Sequence, residues 1–152
     1  MTVPTAPRPS TTPFSPAPAD QVPASARHLE PAMQDKPWGS ERLWADGSHG
    51  YAGKLLMVRA GASLSLQWHR HKDETLTVLS GEIVFESGDS EEHLEATTML
   101  AGDTVHVPPA VLHRLRAVSD AVLAEVSTAG PGWRHDVVRV RDQYGRAGTS
   151  TI

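Results

Sequence analysis

Between residues 53 and 128 apolar and polar side chains alternate in short runs, and clusters of Gly, Ser and Asp interrupt them at close intervals. A period of two over a handful of residues marks a strand with one buried face, and many such runs in succession argue for a sandwich or a barrel. The pattern predicts strands over 53–60, 63–70, 74–80, 82–87, 92–99, 103–107, 112–118 and 121–128, with a last one near 135–140. Ser80-Gly81, Ser87-Gly88-Asp89 and Ala101-Gly102-Asp103 are the breaks. No stretch keeps a helical period and no internal repeat is visible. The expected fold class is all-β.

One run carries more than fold information. Over 63–71, Ser63, Ser65, Gln67, His69 and His71 share one face, and Leu64, Leu66 and Trp68 share the other. If the polar face lines a cavity, the three apolar residues need cover from a second sheet, a terminal strand or another subunit. A homodimer would supply that cover.

The same run supplies candidate chemistry. His69 and His71, two apart on a strand, point the same way, Glu74 follows a short turn, and His113 lies on another predicted strand. Three imidazoles and a carboxylate form a donor set for a divalent transition metal, and Zn, Mn, Fe, Co and Ni all accept it. The expected ligands are His69, His71, Glu74 and His113. His106 alternates away from Val105 and Val107 and reads as a surface residue, as do His28, His49, His93 and His135 in the tail or at loops and strand ends.

Around these residues stands a longer pattern: Gly61, His69-x-His71-x-x-Glu74, six residues, then Gly81, followed by Gly102, five residues, Pro108-x-Ala110, two residues and His113. It resembles the two motifs of the cupin superfamily, with Ala110 and Ala117 where Gly and Asn are common. Lys36-Pro37-Trp38-Gly39-Ser40, Leu64-Ser65-Leu66-Gln67 and Tyr144-Gly145-Arg146 narrow the match. These are similar to the cupin domain of type II mannose-6-phosphate isomerases, over residues 36–146. The resemblance implies a cupin-type double-stranded β-helix, or jelly roll, holding one divalent metal ion, and it makes a homodimer the expected assembly. In that family the cupin usually follows a nucleotidyltransferase domain. This sequence has no Gly-rich phosphate loop and is not expected to make nucleotide sugars.

The activity implied is metal-dependent isomerisation or epimerisation of a sugar phosphate or a related carbonyl compound, so an enzyme is expected. Such a reaction needs a polarised carbonyl, a base and cations for an anionic group. Glu74 is the candidate base as well as a ligand. Gln67, Lys54 and Arg146 are the candidate substrate contacts, the last two at positions matching basic residues of the family. Leu55, Thr75 and Leu76 replace a basic residue, a His and a Trp of the family, which points away from mannose 6-phosphate itself. Arg114 and Arg116 lie opposite His113 and should face solvent or an interface. Trp38 and Trp44 are expected on the barrel exterior and Trp133 at its mouth. Two other classes compete: a cupin metalloenzyme of specialised metabolism (an Fe dioxygenase, a decarboxylase, or a zinc cupin in N–N bond formation) and a non-catalytic small-molecule-binding cupin.

Composition removes several alternatives. A formal charge of −4 with scattered Lys and Arg offers no basic stripe for nucleic acid. No apolar run reaches the length of a membrane span, and the N-terminus does not read as a signal peptide. With no cysteine, thiolate ligands and disulfides are excluded, which suits a cytoplasmic setting. Nine of the 12 prolines lie at or before Pro37, among Thr, Ser and Ala, so residues 1–35 read as a disordered tail. Residues 36–146 are the expected barrel, and residues 147–152 a second, short disordered tail.

Overall fold

A computed structural model describes residue 26 and residues 28–150. Eleven strands run in chain order: β1 (Ala32–Lys36), β2 (Gly39–Asp46), β3 (Tyr51–Val58), β4 (Leu66–His69), β5 (Glu74–Ser80), β6 (Glu82–Gly88), β7 (Leu94–Leu100), β8 (Thr104–Val107), β9 (Leu112–Ala117), β10 (Ala121–Thr128) and β11 (Val137–Arg141). A 3₁₀ turn, Trp133–His135, precedes the last. All pairings are antiparallel, in a six-stranded sheet of order β1-β2-β3-β10-β5-β8 and a five-stranded sheet of order β11-β4-β9-β6-β7. The fold class is as expected, an all-β jelly roll. Among the described residues no helix is long and apolar enough to cross a membrane.

The inward faces explain why this barrel holds a site. On β3 the inward series is Val58, Leu56, Lys54; on β5, Val78, Leu76, Glu74; on β9, Ala117, Leu115, His113; on β10, Ala121, Leu123, Glu125, Ser127, and all of these are buried. Cross-strand register puts Leu123 beside Leu56 and Val78, and Glu125 beside Lys54 and Leu76. The switch from apolar to polar thus occurs at one level on β3 and β10 and one inward-facing position further along on β5, between Leu76 and Glu74. Below it Ile83, Phe85 and Met99 complete a continuous core, each such side chain contributing about 1.5–3 kcal/mol on burial. Above it the two sheets enclose charge.

Several expectations need correction. The sequence pattern marked neither β1 nor β2, and β1 lies inside the stretch read as tail except for Lys36; residues 1–25 and 27 of that stretch lie outside the described ones. The two strands join through Pro37-Trp38, with Lys36 opposite Gly39. Proline suits the second position of such a turn, and a Cβ on Gly39 would sit 1.9 Å from the Met57 carbonyl oxygen, so only glycine fits. Trp38 is not on the exterior: it is buried in the core at 4% exposure. At the other end, Arg139 Nη1 donates to the Thr149 carbonyl and hydroxyl oxygens at 3.3 and 2.8 Å, so residues 147–149 are held against the barrel rather than trailing as a tail.

The run 63–70 is a regular strand only from Leu66 to His69, preceded by a lone bridge between Ser63 and Arg116. Irregular backbone before Leu66 turns Leu64 toward the core, so it does not share an outer face with Trp68. Leu66 is covered within the chain, at 2% exposure.

Candidate metal centre

β4 and β9, from one sheet, deliver His69 and His113; β5, from the other, delivers Glu74. The three donor atoms lie within 4.8 Å of one another, and all three residues are buried. His113 Nε2 is 2.9 Å from Glu74 Oε1, and His69 Nε2 is 3.7 Å from the same oxygen. Both imidazoles are oriented from behind. His69 Nδ1 faces the Asp136 carbonyl oxygen at 2.8 Å, and His113 Nδ1 faces that of Val111 at 2.9 Å. A carbonyl only accepts, so each Nδ1 carries a proton, and in the neutral ring Nε2 is left to present a lone pair to the cluster.

His71 does not join them. It is exposed and lies outside the group of converging donors. The strand stops at His69 because Asp136 intercepts the next three backbone N–H groups: Arg70 donates to Oδ1 at 2.9 Å, and His71 and Lys72 donate to Oδ2 at 2.9 and 2.8 Å. That turn breaks the two-residue alternation, carrying His71 outward and Lys72 inward. Lys72 is 5% exposed, and its ammonium contacts Glu74 Oε2 and, at 2.7 Å, Glu125 Oε1.

The electrostatics follow from this packing. Burial, then the neighbouring Lys72 ammonium, push His69 down to about 4, so it is neutral at physiological pH. Burial alone would raise the Glu74 pKa, but Lys72 and then His113 more than offset it, and the carboxyl is held well below its ordinary range. Burial likewise opposes charge on Lys72, and Glu125 and Glu74 override it in the raising direction.

These residues fit a divalent cation. His69 Nε2 is buried with no hydrogen-bond partner, and an orphaned lone pair of that kind is costly. Lone pairs on His113 Nε2 and Glu74 Oε1, 2.9 Å apart, repel unless a proton or a metal lies between them. Lys72 against Glu74 and Glu125 leaves one negative charge in surplus. All donors are N and O, as expected without cysteine. The set is two imidazoles and one carboxylate, one imidazole fewer than the sequence pattern implied.

A cavity of about 50 Å³ adjoins the centre through His69 and Lys72. Its wall includes Gln67, Lys54, Glu125 and Arg146, and two cations that sequence reasoning passed over, Lys36 and Arg139. Ser65 Oγ donates to Gln67 Oε1 at 2.7 Å, which fixes that amide. Lys54 is buried and its Nζ is 3.4 Å from Glu41 Oε2; it also lies 5.7 Å from the centre of the half-buried Trp133 ring. Arg114 pairs with Glu86 away from the cavity, and His106 pairs with Asp73 on the surface at 3.0 Å.

A family model described as a cupin domain matches residues 54–128. The chain belongs to the cupin superfamily. This cupin is 32% identical over 113 residues to the xanthan biosynthesis protein XanB of Xanthomonas campestris pv. campestris, an alignment covering 73% of the chain and 23% of that protein. It is 27% identical over 133 residues to a mannose-1-phosphate guanylyltransferase of Escherichia coli K12, covering 84% of the chain and 26% of that protein. The cupin thus spans about a quarter of the length of these curated relatives. An oxalate decarboxylase from B. subtilis shares the fold, with a TM-score of 0.63 at 15% identity over 72% of this chain and 30% of that one.

Proposed function

We propose that this cupin is a metal-dependent isomerase or epimerase acting on a sugar phosphate or a related carbonyl compound. The observation that carries the reading is the junction of two features: the buried His69, Glu74 and His113 donors, and an adjoining cavity, reached through His69, whose wall is rich in Lys and Arg. The relative named mannose-1-phosphate guanylyltransferase adds a sugar phosphate to the argument.

In this reading His69, Glu74 and His113 hold the divalent ion, which supplies Lewis acidity at a substrate oxygen. The remaining work belongs to the cavity wall. Gln67, its amide oriented by Ser65, donates to a substrate hydroxyl. Glu74 has both oxygens engaged, by the imidazoles and by Lys72, and is held strongly ionised, which makes it a ligand and a poor base. Glu125 takes the proton-transfer role instead. It lines the cavity, and Lys72 engages only its Oε1. It removes the proton from the hydroxyl-bearing carbon beside the carbonyl and returns it to the former carbonyl carbon, while the hydroxyl proton passes to the former carbonyl oxygen, so the protons balance through an enediol.

Purified protein loaded with Mn, Zn, Co, Ni or Fe(II) and assayed on a panel of aldose and ketose phosphates tests the reading. Turnover that a chelator removes, and that Glu125→Gln abolishes without loss of metal, supports it. Inactivity across the panel with every metal rejects it. One observation favours a second reading: two imidazoles and a carboxylate form the donor set of non-haem Fe(II) oxygenases. Substrate-dependent dioxygen uptake by the iron form is the result that would select it.

A further inference from the structure

Lys36, Lys54, Arg139 and Arg146 line the same cavity, and only two of the four are neutralised. Lys54 is paired with Glu41, and Arg146 grips Asp142 through Nη2 and Nε at 2.7 and 3.1 Å. Among the described residues Lys36 and Arg139 find neutral acceptors alone. Lys36 Nζ donates to Gln34 Oε1 at 2.9 Å, and Arg139 Nη1 donates to Thr149. Arg139 is 7% exposed, and its Nε is buried without a partner. Among the described residues these four cations meet two carboxylates, which leaves Lys36 and Arg139 without an ion-pair partner.

Unpaired buried charge is unfavourable unless something neutralises it. Burial and the adjoining Lys54, Arg139 and Arg146 lower the pKa of Lys36, and burial with Arg146 lowers that of Arg139, against the raising effect of one carboxylate in each case. The free Nε edge of a guanidinium offers parallel donors that match a tetrahedral oxyanion. The space of about 50 Å³ takes on the order of three water molecules, or one compact group of that kind. We propose that Lys36 and Arg139 form a binding subsite for a dianionic phosphoryl group, flanked by Lys54 and Arg146.

The proposal deepens the sugar-phosphate reading and rests on it for the nature of the ligand; the cation geometry is independent of it. The test uses the full chain with inorganic phosphate as the probe, in calorimetric titrations at constant ionic strength, both metal-loaded and chelated. Saturable one-to-one binding is expected in both forms, with acetate a poor competitor. Lys36→Met and Arg139→Lys should each weaken phosphate at least tenfold while metal content stays unchanged. Arg139 also ties down Thr149, so Lys36→Met decides if the other variant fails to fold. Binding that appears only with metal, or equal affinity in Lys36→Met, overturns the subsite. Phosphate binding without turnover of any sugar phosphate rejects the isomerase and leaves the subsite standing. Turnover of an unphosphorylated carbonyl compound with no phosphate binding does the reverse.

Discussion

Asp136 acts at two levels, although no motif spacing marks it. Its carboxylate accepts three consecutive backbone N–H groups, and its own carbonyl accepts the Nδ1 proton of His69. Burial would raise its pKa, and those N–H groups, His71 and Lys72 first, draw it below the ordinary value. Hydrogen bonds to a charged acceptor are worth about 1.5–3 kcal/mol each and do not add fully. Asp136→Ala is expected to cost about 3 kcal/mol in a urea melt and to weaken metal about 10–100-fold, the usual effect of losing a group that orients a ligand. Full metal affinity in the variant would show that the turn forms without it. Ala110 illustrates the opposite case. It sits at φ 67 with its N–H on the His69 carbonyl oxygen at 2.8 Å, a backbone region that glycine occupies freely and other residues only at a cost. Ala110→Gly should therefore stabilise the fold by about 0.5–1 kcal/mol, and a fall in Tm would contradict that.

At the level of elements, strands such as β5, β6, β9 and β10 are readable because each carries a period-two pattern with a clear break at its ends. β1 offers no such pattern. Four of its five residues are exposed and the fifth half-buried, so burial writes no alternation into Ala32–Lys36. The ligand set is readable only where regular backbone lies beneath it. His113 lies within β9, and parity with Leu115 places it inside. His71 follows the end of β4, and the carboxylate that turns the chain there comes from a residue more than sixty positions away. Two side chains therefore exchange roles relative to the sequence pattern, His71 leaving the interior and Lys72 entering it. Metal analysis by mass spectrometry discriminates directly. His69→Ala and His113→Ala should lose stoichiometric metal, and His71→Ala should retain it. Loss in His71→Ala to the same degree would restore that residue to the ligand set.

The whole molecule is a barrel half filled by core and half by charge, which makes the loaded and metal-free forms respond differently to acid. The His69 pKa drops from 6.5 in the unfolded chain to about 4 in the fold. The folded state then binds fewer protons than the unfolded one in that window, so stability falls as pH drops from about 6.5 to 4. The loss approaches about 3 kcal/mol, because each tenfold change in proton affinity between the two states is worth roughly 1.4 kcal/mol. Glu74 acts below that window. Its folded pKa is depressed, so its contribution is intact above the ordinary carboxylate range and disappears as pH falls through and below it. Both effects point the same way, toward an acid-labile metal-free barrel. A bound ion competes with protons for the same lone pairs, stabilises by mass action and moves the acid transition lower. Thermal melts from pH 8 to 4 should show a steep decline in Tm for chelated protein below pH 6.5 and a later one for the loaded form. His69→Gln, which removes the titrating imidazole, should flatten the chelated curve between pH 6.5 and 4. An unaltered slope in that variant would assign the acid response to other groups.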